Sequence, residues 1–184
     1  MAVLTISRQF GAGGKTLAEK VAERLGYTIA TEEIVEHLAE SAKISPEELP
    51  FLALEQDHLA RPASGVLSPG RFINRVLNPK LEFMDGALYV KLLREIIPKI
   101  AEKKNTIIIG RASQFLLQEN PDAYHILLVA PEEHRIQFMV DTYDLTVPEA
   151  RKILRRQAKR RTALFQLLNC RDCDQSWHYD MVLN

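Results

Sequence analysis

The chain has 184 residues, 46% of them hydrophobic, and its 24 Lys and Arg balance 24 Asp and Glu. This length and composition suit one globular domain with a sizeable core, and the even charge gives no global reason to expect nucleic acid or a membrane surface as a partner. No apolar run approaches the roughly 20 residues of a membrane helix. The N-terminus also lacks a signal peptide's basic start, apolar stretch and cleavage site, so the cytoplasm is the expected compartment.

Val3–Ile6 is an apolar, β-branched run that reads as a buried strand. It breaks into Gly11-Ala12-Gly13-Gly14. A helix follows at once, with Leu17, Ala18, Val21, Ala22 and Leu25 on one face. Tyr27–Ala30 reads as a short strand, and Thr31 caps a helix whose stripe is Ile34, Val35, Leu38 and Ala39. Ser45-Pro46-Glu47-Glu48 is a capping box with proline at the first helical position. Residues 60–78, rich in Pro, Gly and Ser, form a long connection. Asn78-Pro79 then opens a helix striped by Leu81, Met84, Leu88, Leu92, Ile96 and Ile100. Pro98 should kink that helix or end it early.

Thr106–Ile109 is a second apolar strand, ending in Gly110-Arg111. His125–Val129 is a third, closed by Ala130-Pro131. Pro131-Glu132-Glu133 opens a helix with acids in its first turn, where they suit the dipole. Thr146-Val147-Pro148-Glu149 is a second capping box, opening a basic helix, and Tyr179–Leu183 is a last strand. Apolar strands alternating with helices imply a parallel sheet covered on both faces. Ligands of such sheets bind at the carboxyl ends of the strands. Ser7, Arg8, Arg111 and the 130s loop should therefore share one edge.

Strand, glycine turn and helix together make a phosphate cradle. Glycines let successive N–H groups point inward, and the helix N-terminus adds positive dipole. Lys15 and Thr16 stand where an amine and a Mg²⁺-binding hydroxyl are wanted. The pattern G-x-x-x-x-G-K-[ST] matches at Gly14-Lys15-Thr16, but its first glycine falls on Gln9. A second register sets Gly11-Ala12-Gly13 on the G-x-G of nucleoside monophosphate kinases, which puts Gly14 in the lysine slot. An ordinary strand-to-helix turn is the plainer alternative.

Arg111 follows a buried strand directly, where a charge is costly unless it meets an anion or a salt-bridge partner. Arg8 lies in the loop itself and could face an anion or the surface. Residues 151–161 carry seven basic residues and no acid. A phosphate-facing lid, a solvated helix face and a nucleic-acid patch all fit that run, with nucleic acid the weakest of the three. Cys170-Arg171-Asp172-Cys173 is half of a zinc site at best, and a chance pair of loop cysteines is the favoured reading.

The segments TISRQFGAGGKTLAEKVAERLGY, TIIIGRASQFLL, HILLVAPEEHR and YDMVLN, in that order, resemble the cytidylate kinase-like family of P-loop proteins. The resemblance implies a nucleoside monophosphate kinase fold. It would be one α/β domain over residues 1–184, with a parallel sheet in the order 2-3-1-4-5 and helices on both faces. An acceptor-binding insertion would span about 31–104 and a helical lid about 131–170. It implies ATP with Mg²⁺ at Arg8, Gly11, Ala12, Gly13, Gly14, Lys15 and Thr16, with Thr16 holding the metal through the nucleotide. Lys15, Arg156 and Arg161 would act in catalysis, and Arg111 would grip a small phosphorylated acceptor, a nucleoside monophosphate above all. True CMP kinases carry G-R-D at the third strand, where Ala112 here replaces the acid. Gln157 and Ala158 replace two lid acids. These departures leave open a rival, a nucleotide- or phosphate-binding regulator without turnover. Folds of this family normally continue past the last strand into a helix, whereas this sequence stops at Asn184; either it is cut short or a partner covers that face, and exposed apolar surface there would favour association.

Overall fold

The computed structural model describes residues 2–30 and 86–184. The helix capped by Thr31, the Ser45 capping box, the 60–78 connection, the Asn78-Pro79 helix start and most of the acceptor insertion lie outside those residues.

In chain order the described elements are β1 (Val3–Arg8), α1 (Gly14–Leu25), β2 (Thr28–Ile29), α2 (Gly86–Glu102), β3 (Thr106–Ile109), α3 (Ser113–Leu116), β4 (Ala123–Leu128), α4 (Glu132–Tyr143), α5 (Val147–Leu167), a 3-10 turn (Ser176–His178) and β5 (Met181–Leu183). The five strands form one sheet in the order β2-β3-β1-β4-β5, as expected. Each neighbouring pair runs parallel.

The central strand is buried because its neighbours and helices cover it on every side. Val3, Thr5 and Ile6 are fully buried, as are Ile107 and Ile108 of β3. Side chains alternate across a strand. Leu4 and Ile6 face α1, where they meet Ala18, Leu17, Val21 and Ala22. A second apolar cluster joins α4 to α5 through Ile136, Met139, Leu145, Ile153 and Leu154, with Phe10 of the glycine turn packed on it. The helical hairpin is thus seated on the turn that follows β1.

Two local expectations about helices had different outcomes. The Thr146–Glu149 box caps α5: the Glu149 carboxylate accepts from the Thr146 N–H at 2.9 Å and from its hydroxyl at 2.6 Å. These bonds hold the Glu149 carboxyl below its usual range. Pro98, by contrast, does not end α2, which runs on to Glu102. An interior proline costs about 3 kcal/mol. Ile96, Ile97, Ile100 and Ala101 are all buried around it, and each large apolar side chain contributes roughly 1.5–3 kcal/mol on burial. Packing outweighs the missing backbone bond.

His125 sits on β4 opposite Thr5. Its Nδ1 lies 2.8 Å from Thr5 Oγ1, and its backbone N–H donates to Asp180 Oδ2 at 2.7 Å. Burial pushes the imidazole pKa down, against the pull of the Asp180 carboxylate. A lowered folded pKa means that the unfolded chain takes the proton first as pH falls. Stability should therefore drop as pH falls from about 6.5, the ordinary histidine value, through the lowered one. Urea unfolding of wild type and His125→Gln between pH 7 and 5 checks this. The variant should lose part of the slope, and an identical slope would remove His125 as its source.

Candidate functional site

The candidate site lies at the carboxyl edge of β1 and β3, which end at different levels. β3 pairs with β1 as far as Ile109 opposite Ile6, whereas β4 stays paired as far as Leu128 opposite Arg8. Beyond Ile109 the chain turns sharply out of the sheet. Gly110, Arg111 and Ala112 have φ of 69°, 57° and 53°. The left-handed region costs a residue with a side chain about 1–2 kcal/mol, so Arg111 and Ala112 are both strained. Strain of this kind persists only where the surroundings enforce it. Here Gly110 N–H donates to Ile6 O at 2.9 Å, and Ser113 N–H donates to Gly110 O at 3.1 Å. The turn leaves Arg111 nine per cent exposed, and the fully buried Ser113 Oγ makes no hydrogen bond among the described residues.

The glycine turn meets the same edge from the other side of β1. Gly13, at φ 79°, caps α1 in the left-handed conformation, and the first turn of α1 holds no acid. The opening N–H groups of a helix have no partner within it, so this end is disposed toward an anion. Gly11, at φ 85°, lies under the helical hairpin, where a Cβ would come within 3.0 Å of Arg135 Cβ and 3.3 Å of Leu154 Cδ2. Gln9 ties the turn to the loop after β4, accepting from Ala130 N–H at 3.1 Å. Thr16 is exposed in the first turn of α1.

The basic residues separate into groups. Lys15 points along α1 to Glu19, with Nζ 3.8 Å from Oε1. Arg8 lies across the start of α1, with its aliphatic stem against Gly14 and its guanidinium at Gly110. Arg161 reaches the opposite face of β1. Its Nη1 donates to Arg8 O at 3.0 Å, its Nη2 to Ser7 Oγ at 2.9 Å, and its Nε to both Asp174 oxygens at 3.0 and 3.1 Å. The guanidinium also covers the Phe165 ring, 4.9 Å from its centroid. Helical residues advance about 100° each, so Arg161 shares the side of α5 on which Leu154 meets Gly11. Arg156 falls on the other side. It lines a cleft of about 520 Å³ with Pro148, Arg151, Lys152, Arg155 and Lys159. The structure brings Arg8, Arg161 and the glycine turn together and leaves Arg156 apart from them.

The cysteines correct the sequence reading. They are not a chance pair, because Cys170 and Cys173 are joined in a disulfide. Both are buried, in a cluster with Ala112, Phe165 and Leu168. The Tyr179 hydroxyl donates to Cys173 O at 2.9 Å, and burial pushes its phenol pKa up. The disulfide-bonded loop leads directly into Asp174. Asp174 was not legible as a site residue, since nothing in its neighbourhood marks it as the partner of an arginine 13 positions earlier.

A central strand, glycine turn and helix in a 2-3-1-4-5 parallel sheet define a P-loop kinase-like fold. The chain belongs to the cytidylate kinase-like family, whose profile matches residues 3–184. Among solved structures it is similar to an uncharacterized protein from Eubacterium ventriosum, with 18% identity and a TM-score of 0.64 over 99% of this chain and 87% of that one. It is also similar to a shikimate kinase from Acinetobacter baumannii, solved with shikimate, with 14% identity and a TM-score of 0.50 over 100% of this chain and 83% of that one. No curated protein matches its sequence. Among the described residues no helix is long and apolar enough to cross a membrane.

The disulfide closes a loop with a sequence separation of 3. A loop that short contributes about 2 kcal/mol by restricting the unfolded chain. The Cys170→Ala/Cys173→Ala double variant should lose about that much in urea unfolding, and dithiothreitol should lower wild-type stability but not the variant's. An unchanged wild-type midpoint under reduction would show that the bond contributes nothing.

Proposed function

We propose that this protein binds ATP with Mg²⁺ at residues 11–16 and transfers the γ-phosphoryl group to a small phosphorylated acceptor, a nucleoside monophosphate first among them. The observation that carries this reading is the α1 N-terminus, opened by left-handed Gly13 at the end of the central strand. Family membership supports a kinase-like activity. Phosphoryl transfer asks for positioning and charge neutralisation more than covalent chemistry, and an edge built of backbone N–H groups and arginines suits that demand.

The N–H groups at the start of α1 would hold the β-phosphate. The exposed Thr16 hydroxyl would meet the nucleotide's Mg²⁺, which when bound neutralises charge on the phosphate oxygens. Lys15 would add charge from the outer side of the helix. Arg111, presented by its strained turn, would hold the acceptor's phosphate. Arg161 would fix the end of β1 and the C-terminal half of α5, and Arg156 would approach the phosphates only when the N-terminal half of that helix closes as a lid. ATP supply makes the cytoplasm our proposed compartment. Met181, Val182 and Leu183 of β5 are exposed, which supports association between copies.

CMP should be a poor acceptor. Ala112 has no polar side-chain atom, and its methyl is buried against Phe165, Leu168 and the disulfide. It cannot make the acceptor contact of an aspartate, and a site without its polar partner loses discrimination. Turnover across a panel of nucleoside monophosphates tests the reading. Weak, unselective phosphorylation is expected, and efficient CMP-selective turnover would contradict it. Arg111→Gln should raise the acceptor KM by about tenfold or more, the scale of one charged hydrogen bond, with ATP affinity little changed. Nucleotide binding without turnover on any acceptor would favour the regulator.

A further inference from the structure

We propose that Arg8, rather than Lys15, is the main cation of the phosphate loop, and that Gly14 is glycine because the Arg8 side chain occupies the space of its Cβ atom. The inference rests on the phosphate site proposed above and assigns its charge. It begins from strand alternation. Thr5 and Ser7 point to one face of β1, and Leu4, Ile6 and Arg8 to the other. Leu4 and Ile6 pack beneath α1. Arg8 must therefore leave β1 directly under the first residue of that helix.

That first residue is Gly14, and it is buried. A Cβ on it would stand 3.0 Å from Arg8 Cγ and 3.2 Å from both Arg8 Cβ and Cδ. The conflict is with the stem of the side chain, which cannot swing aside as a flexible tip can. Gly14 has no left-handed φ, so its backbone makes no demand for glycine. The constraint is the space. Further along, the guanidinium meets Gly110, where a Cβ would overlap Arg8 Nη1. β3 has already turned away at that level, and this opens the path from the glycine turn to the Arg111 turn.

Lys15 is placed differently. It follows Gly14 on the helix, is directed to Glu19 and is a third exposed. In the register that puts Gly14 in the lysine slot, the missing amine is thus replaced from the strand beneath. A guanidinium there offers planar, bidentate donors to phosphate oxygens, which an ammonium does not. Arg161 holds the carbonyl of Arg8, and so fixes the point from which the side chain starts.

The test is calorimetry of the full chain with ATP·Mg²⁺ and, separately, with inorganic tripolyphosphate. The variants are Arg8→Ala, Arg8→Lys, Gly14→Ala and Lys15→Ala, with Lys20→Ala on the exposed side of α1 as the control for net charge. Arg8→Ala should weaken both ligands by about 10- to 100-fold, the scale of one or two charged hydrogen bonds. Arg8→Lys should recover only part of that loss. Gly14→Ala, which keeps every charge but displaces the arginine, should weaken both ligands as well. It carries the test if Arg8→Ala does not fold. Lys15→Ala should lose less than Arg8→Ala. Losses in Lys15→Ala equal to or greater than those in Arg8→Ala, or wild-type affinity in Gly14→Ala, would overturn the assignment. If tripolyphosphate follows this pattern while ATP does not bind, the assignment stands and the nucleotide reading fails. If wild type binds neither, both fall.

Discussion

Burying β1 and β3 on both faces leaves the carboxyl end as the place where these strands can present charge. Val3, Thr5, Ile6, Ile107 and Ile108 have no access to solvent, and a charge among them would be costly. Arg8 and Arg111 are the first charged residues past the closed part of each strand. Each leaves the sheet by a route that the backbone has to permit. Arg8 crosses a helix start that has no Cβ, and Arg111 sits in a left-handed turn held from both sides. The site is the exit from a core, and its cations stand where that core stops.

Cations gathered in one place repel one another unless each has an anion or enough water. Arg161 meets this demand with a protein group, Asp174, which directly follows the loop that the disulfide closes. That contact gives the C-terminal half of α5 a fixed relation to Ser7 and Arg8. The other side of the same helix faces a broad basic cleft. One helix thus carries a structural arginine and a set of exposed cations within a few turns. Composition alone does not separate them, because the difference lies in which side meets β1.

Much of this fold is legible in the sequence, because its signals are local. Apolar runs at Val3–Ile6 and Thr106–Ile109, the glycine turn and the Thr146–Glu149 box each act within a few residues. The 2-3-1-4-5 order followed from family resemblance, and the structure has it. What could not be read depends on distance in space. Cys-x-x-Cys does not reveal whether two sulfurs meet, and Arg161 does not reveal its Asp174. Pro98 carries a local penalty that only the surrounding isoleucines show to be outweighed. Lys15 turns to Glu19 one turn later, and Arg8 lies beneath Gly14. A glycine in a lysine's slot reads as a loss until the space beneath it is seen to be filled.

A crystal structure with bound inorganic tripolyphosphate and Mg²⁺ tests the central claim most directly. Phosphate oxygens should lie on the N–H groups of the glycine turn and α1, within hydrogen-bond distance of the Arg8 guanidinium, with Lys15 still turned toward Glu19. Phosphate held by Lys15 while Arg8 points away, or bound along the Arg151–Lys159 side of α5 with the glycine turn empty, would contradict it.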